Sequence, residues 1–204
     1  MKTDSKKYRV FDLETTGLSV TKDKIITIGC LKKKPGQIIQ AKVFYSNPIQ
    51  ENKKKNAAQL VDTTKEKKVI QKFINFMSDT GGPIYTYNGD SFDWPFLHSR
   101  VYELFNDYGD TVDQMYKWKE EHGHDLLKSH GLYPSGKSKK LEHVLNEHGI
   151  SHSEEISGKD VPRYFKNGWM DTLIKYSYED AIKTAALVEE VNGGTKENVL
   201  NQTQ

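Results

Sequence analysis

Val10-Phe11-Asp12-Leu13-Glu14-Thr15-Thr16-Gly17 sets two acids in alternation with apolar residues and closes on a Thr-Thr-Gly turn. Side chains two apart on a strand share a face, so Asp12 and Glu14 project one way and Phe11 and Leu13 the other. Two carboxylates side by side at a strand end repel one another and lose hydration, which is costly unless a cation lies between them. The pair therefore predicts a strand buried on its apolar face and a divalent-metal site on the other.

Working outward, Tyr8 to Glu14 reads as the first strand, the β-branched run Ile25–Leu31 as a second and Ile38–Tyr45 as a third. Lys34-Pro35-Gly36-Gln37 is a turn, and the short connections predict an antiparallel meander. The polar, lysine-rich segment from Asn47 to Lys68 leads into a helix over Thr64–Met77, where Val69, Ile70, Phe73, Ile74 and Met77 recur at helical spacing. Ile84–Tyr87 reads as a short strand and Phe92–Phe105 as a helix with Pro95 in its first turn. A strand over Thr111–Met115 is expected to carry Asp113, followed by a weakly patterned helix over Met115–Lys128. Helices are expected over Ser138–His148, from about Asp160-Val161-Pro162, and from Met170 to Val191, where Asn192-Gly193-Gly194 stops the last one. Three strands followed by alternating helices and strands describe an α/β domain with a mixed sheet, spanning residues 1–191 with its core over 8–190 and a flexible polar tail over 192–204.

Composition excludes several classes. Of the 204 residues 28% are charged and 35% hydrophobic, the balance of a globular domain with a polar surface. No run approaches the ~18 apolar residues of a spanning helix, and Met1–Lys7 has no apolar signal core, so a cytoplasmic protein without membrane contact is expected. One cysteine, Cys30, rules out an internal disulfide and is expected to pack as a small core residue. Net charge is only +2, so the lysine clusters at 32–34, 53–55 and 137–140 are expected to be solvated loops. Six of the seven histidines fall between His122 and His152, but His143 and His148 are badly spaced for chelation and the cysteine is remote, so surface histidines are expected rather than zinc.

Two further acidic features complete the pattern. Tyr85–Leu97 contains Asn88-Gly89-Asp90-Ser91-Phe92-Asp93. Asp90 suits a helix-capping role. Asp93, bracketed by Phe92, Trp94 and Phe96, needs a partner, and a metal is a good candidate. Tyr176 and Asp180 are four apart on the last helix and share a face, whereas Glu179 is read as solvent-facing and Tyr178 as packing.

Taken together, Phe11-Asp12-Leu13-Glu14-Thr15-Thr16-Gly17, Asn88-Gly89-Asp90-Ser91-Phe92-Asp93 and Tyr176-x-x-x-Asp180 resemble the three motifs of the DEDD superfamily of 3′–5′ exonucleases, in the tyrosine variant. The second is close to the form in the proofreading domains of archaeal family-B DNA polymerases. The stretches Lys139–Leu145 and Val161–Phe165 resemble a stand-alone ribonuclease H-like exonuclease group. The resemblance covers about residues 8–190. It implies a ribonuclease H-like fold with a five-stranded mixed sheet, and two Mg²⁺ or Mn²⁺ ions bound by Asp12, Glu14, Asp93 and Asp180. Tyr176 is then expected to orient the attacking water. Thr15 and Thr16 are expected to meet the terminal nucleotide through backbone groups, with Leu18 wedged under its base and Asn88 and Phe92 holding the strand end. The implied substrate is a nucleic acid 3′ end, DNA being favoured over RNA, with a polymerase or repair partner acting in trans on a monomer. An exoribonuclease, and a catalytically silent nucleic-acid-binding domain, are the alternatives.

Overall fold

A computed structural model describes residues 7–34, 39–49, 56–78, 80–105, 110–129, 140–152 and 156–193. The expected turn over Lys34–Gln37 lies largely outside these residues, as do His130, Lys53–Lys55, Lys137, Lys139 and most of the C-terminal tail.

Strand β1 (Tyr8–Thr15) pairs antiparallel with β2 (Ile25–Lys33), which pairs antiparallel with β3 (Gln40–Tyr45). On the other side of β1, β4 (Ile84–Thr86) and β5 (Gly123–Asp125) add in parallel, giving the order β3-β2-β1-β4-β5. The expected meander and the five-stranded mixed sheet are both present. Every residue of β2 is buried, as befits an inner strand covered on both faces, whereas β3 at the edge alternates between exposed and half-buried positions.

Phe11, Leu13, Ile28 and Cys30 project to one side of the sheet and pack with helices α1 (Thr63–Ser78) and α2 (Asp93–Phe105) through Val69, Phe73, Met77, Phe96 and Val101. On the opposite side, Tyr8, Val10 and Leu31 pack with Ala185 and Ala186 of the last helix, α7 (Met170–Val191), and with Val144 and Leu145 of α5 (Leu141–Glu147). Between α5 and α7 a 3₁₀ turn (Gly158–Asp160) runs into the short helix α6 (Val161–Lys166). Asp12 pairs with Gly29, and a Cβ on Gly29 would lie 2.1 Å from the carbonyl oxygen of Ser177. The missing side chain lets α7 press its backbone onto β2 beside Asp12, in the turn that separates Tyr176 from Asp180.

Glu66 of α1 locks this arrangement from below. Its buried carboxylate accepts the Ile25 N–H at 2.9 Å and two charge-assisted bonds from Arg100 of α2, each 2.7 Å long. One ion pair thus joins the start of β2 to both helices on that face.

Four expectations are corrected. Residues 111–115 are helical, within α3 (Asp110–Lys117), because half-buried Val112, buried Met115 and, one turn on, Trp118 share one helical stripe. The fifth strand is Gly123–Asp125, inside the expected helix; α3 and a π-helical turn (Trp118–His122) lead into it, and α4 (Leu126–Ser129) follows. Lys32 and Lys33 are not in a solvated loop: they are buried on β2, where Lys33 pairs with Glu189 at 2.7 Å and Lys32 donates to the Phe76 carbonyl at 3.1 Å. Asp90 does not cap a helix but pairs with Lys119 and, at 3.3 Å, with Lys128. Cys30 is fully buried as expected, which pushes its thiol pKa well up.

Candidate active site

β1 delivers Asp12 and Glu14 to the α7 side of the sheet, and α7 delivers Asp180 to meet them. One carboxylate oxygen from each of the three lies within 4.8 Å of the others. Among the described residues this is the one His, Cys, Asp or Glu group able to hold a metal ion, and it contains no histidine.

Asp93, the first residue of α2, is buried and accepts the Leu13 N–H at 3.0 Å through Oδ1. That bond ties the helix start to the strand between Asp12 and Glu14. Asp93 lies outside the three-carboxylate group, but its charge raises the pKa of both Asp12 and Glu14.

The electrostatics are those of a cation site. Burial, and then the mutual repulsion of Asp12, Glu14, Asp93 and Asp180, holds Asp12 and Glu14 well above the usual carboxylate range. Burial also raises Asp180, against the pull of Lys183, and pushes Asp93 to about 7 even though two backbone N–H groups favour its charged form. Tyr176, one turn before Asp180, is raised far above its ordinary value by burial and by the charges of Glu14, Asp180 and Asp12; its hydroxyl hydrogen-bonds the Asp180 carboxylate.

Lys183 is the residue that the acid-centred reading missed. It is buried one turn beyond Asp180, with Nζ 2.9 Å from Asp180 Oδ1 and 5.9 Å from the centre of the Tyr176 ring. Its i+3 spacing from Asp180 was the available signal.

Two cavities, of about 490 and 510 Å³, share Asp12, Tyr176, Asp180, Gly158 and Lys159 and form one cleft over the carboxylates. The first extends toward Tyr87, Lys140 and His143. The second extends toward Thr15, Gly17, Leu18 and Phe92. Leu18 is 83% exposed at this rim, a large apolar side chain held out into solvent. Phe92 stacks on Phe96 with ring centres 5.4 Å apart.

Thr16 and Asn88 lie outside both cavity linings. The Thr16 hydroxyl donates to Asp23 Oδ1 and accepts the Lys24 N–H, while its own N–H donates to the Lys24 carbonyl. Asp23 also accepts the Ser19 N–H, and a Cβ on Gly17 would come within 2.5 Å of the Asp23 carboxylate, so the turn after β1 folds around that acid and needs a glycine there. Asn88 takes a left-handed backbone (φ 61°), which asparagine tolerates. Its N–H and that of Asp90 each donate to one oxygen of Asp125, a buried acid at the end of β5 that also accepts the Leu127 N–H. Asp125 therefore shapes the loop that leads to Asp93, a role invisible without knowing that Gly123–Asp125 is a strand.

The RNase H superfamily model matches residues 10–192. The chain belongs to the RNase H superfamily. It is 30% identical over 196 residues to a PolC-type DNA polymerase III of Staphylococcus saprophyticus, an alignment covering 87% of this chain and 13% of that one. It is 28% identical over 144 residues to a DNA polymerase of Archaeoglobus fulgidus, covering 65% of this chain and 18% of the other. The chain thus spans less than a fifth of either relative. Among solved structures, the family B DNA polymerase of Pyrobaculum calidifontis superposes with a TM-score of 0.64 at 20% identity, over 91% of this chain and 24% of that one. Escherichia coli Exonuclease I, solved in complex with a 5cy-dA13 oligonucleotide, superposes with a TM-score of 0.57 at 16% identity, over 96% and 42%. Both show the same fold as this member of the superfamily.

Proposed function

We propose that this RNase H superfamily member is a metal-dependent 3′–5′ exonuclease. In this reading it hydrolyses phosphodiester bonds at the 3′ end of DNA, preferentially single-stranded, and releases nucleoside 5′-monophosphates. The observation that carries the reading is the group of half-buried Asp12 with buried Glu14 and Asp180 at the floor of an open cleft, with Tyr176 against Asp180. The superfamily membership, and the alignment with DNA polymerases, support it.

The donor set fits a hard divalent ion: the ligands are carboxylate oxygens alone, mutually repelling and buried without enough local positive charge. Asp12, Glu14, Asp93 and Asp180 would hold two Mg²⁺ or Mn²⁺ ions. Bound there, the ions would lower the pKa of a coordinated water and neutralise charge on the phosphoryl oxygens. The chain's own residues would do the positioning. Tyr176, whose hydroxyl hydrogen-bonds the Asp180 carboxylate, would orient the attacking water through a further hydrogen bond at the same oxygen. Leu18 would pack under the terminal base and Phe92 would support it, an apolar clamp that reads no sequence. Thr15 would meet the terminal nucleotide, while Thr16 and Asn88 would act through the shape of their turns.

The test is digestion of 5′-labelled and 3′-labelled DNA and RNA oligonucleotides of the same sequence, in Mg²⁺, Mn²⁺ or EDTA. The expected result is stepwise shortening of 5′-labelled DNA from its 3′ end, with mononucleotide released from 3′-labelled DNA and no reaction in EDTA. Asp12→Ala and Asp180→Ala should abolish cleavage with the fold retained. Full activity in purified Asp12→Ala protein, or persistence in EDTA, would overturn the metal site. Faster digestion of RNA would move the substrate to RNA with the same chemistry.

A further inference from the structure

We infer that a second nucleic-acid contact, separate from the cleft, lies in the groove between α1 and the edge strand β3. It would hold the sugar-phosphate backbone of a strand whose 3′ end is engaged in the cleft, and so it rests on the exonuclease reading. The groove has a volume of about 370 Å³ and is lined by Val43, Phe44 and Tyr45 on one wall and by Lys65, Lys68 and Lys72 on the other.

Three observations point to a polyanion. The lysines sit at i, i+3 and i+7 of α1, all exposed, in one stripe rising about 10 Å along the helix. None of them makes an ion pair with a described residue. The acids that could have neutralised them are used elsewhere: Glu66 is buried against Arg100, and Asp62 accepts the N–H groups of Thr64 and Lys65 at the helix start. In a chain of net charge +2, this stripe is a local excess of positive charge. Tyr45, paired through Thr27 with Glu14 and so on the cleft side of the edge strand, is 45% exposed, an aromatic face on which any base can stack on the way round the edge. At ~3.4 Å of rise per phosphate in a duplex strand, the stripe spans about three phosphates.

The sheet places this groove at the right end of the molecule. Across the meander, Asp12 pairs with Gly29 and Gly29 with Val43; Glu14 pairs with Thr27 and Thr27 with Tyr45. At a strand spacing of ~4.8 Å, the β3 wall is level with the carboxylates and about 10 Å from the strand that carries them. A strand leaving the cleft toward β3 would reach the lysines by rounding that edge.

The experiment uses the full chain carrying Asp12→Ala, which prevents digestion, with and without Lys65→Gln, Lys68→Gln and Lys72→Gln together. Fluorescence anisotropy would measure binding of labelled single-stranded DNA of 3 and 20 nucleotides over a range of salt. The expected result is at least a tenfold loss of affinity for the 20-mer, with the slope of log K against log salt shallower by about two. Trinucleotide binding should not change, and with Asp12 restored the triple lysine variant should keep the short-substrate turnover of the unsubstituted protein. Single variants Lys68→Gln and Lys72→Gln, each expected to reduce the slope by about one, carry the test should the triple variant unfold. An unchanged 20-mer affinity and slope, or an equal loss on the trinucleotide, would overturn the inference. So would poly-glutamate binding the groove as tightly as the 20-mer, since the partner would then be an acidic protein. Failure of the exonuclease reading would show separately, as absence of cleavage by the unsubstituted protein.

Discussion

Asp93→Asn isolates the electrostatic cost of the proposed metal site, because asparagine keeps the shape and retains an oxygen for the Leu13 N–H. Burial raises the folded-state pKa of Asp93 to about 7 from its ordinary value of 3.8. Below the unfolded pKa the group is protonated in both states and the substitution removes no charge. Between the two values the unfolded chain releases a proton that the folded chain keeps, so stability falls as pH rises, by about 1.4 kcal/mol per pH unit. Above the folded value the loss is complete, about 4 kcal/mol as an upper figure for a group coupled to other acids. In EDTA the unsubstituted protein should therefore lose stability between pH 4 and 7, and Asp93→Asn should lose about 2–4 kcal/mol less. Urea unfolding followed by circular dichroism is the assay. With a slope of ~2 kcal/mol per molar, the variant's midpoint at pH 8 should lie about 1–2 M higher, converging with the parent near pH 4. A variant less stable than the parent at pH 8 in EDTA would refute the reasoning, because Asp93 would then be contributing stability as an anion.

Four further outcomes follow from named contacts. Lys183→Met removes the cation that competes for Asp180, so Mn²⁺ should bind about tenfold more tightly by titration calorimetry, a difference of ~1.4 kcal/mol; weaker binding would mean that Lys183 builds the site instead. Tyr176→Phe should lower turnover at least tenfold with little change in single-strand affinity, and equal turnover would remove the hydroxyl from the reaction. Arg100→Met strands the buried Glu66 carboxylate and should cost about 3–5 kcal/mol, or roughly 10 °C in Tm, much of it recovered in the double variant Glu66→Leu/Arg100→Met. Gly29→Ala should destabilise the fold and weaken Mn²⁺ binding together, since its methyl group would meet the Ser177 carbonyl; a variant with unaltered metal affinity would show that the contact does not set the site.

What could be read in the sequence was governed by periodicity. Asp12 and Glu14 opposite Phe11 and Leu13 gave the two faces of β1, and Tyr176 and Asp180 gave the working face of α7, whose observed limits are those expected. Gly123-His124-Asp125 carries no strand pattern, because its three residues are extended only by pairing with β4; the strand expected over Thr111–Met115 passed over the helical spacing of Val112, Met115 and Trp118. Lys32 and Lys33 misled for the opposite reason. Their charge argues for solvent, but Glu189, 156 residues away from Lys33, and the Phe76 carbonyl make burial affordable. Asp125 shares that character, because Asn88 and Asp90 reach it only through the tertiary fold, whereas Lys183 stands one turn from Asp180 on the same helix and was legible there.

The bare backbone at Gly29 bears on ion choice. A ligand set drawn from a strand and a helix has a bore fixed by how far apart the two scaffolds stand, and here that gap is gauged by the contact between Gly29 and the Ser177 carbonyl. Mg²⁺ demands oxygen ligands at ~2.0–2.1 Å with little tolerance, whereas Ca²⁺ accepts ~2.3–2.6 Å. A position with no side chain, one strand in from the sheet edge and outside any ligand shell, would thus act as the calliper of the site. Widening it by one methyl group should shift preference from the smaller cation toward the larger before it abolishes binding.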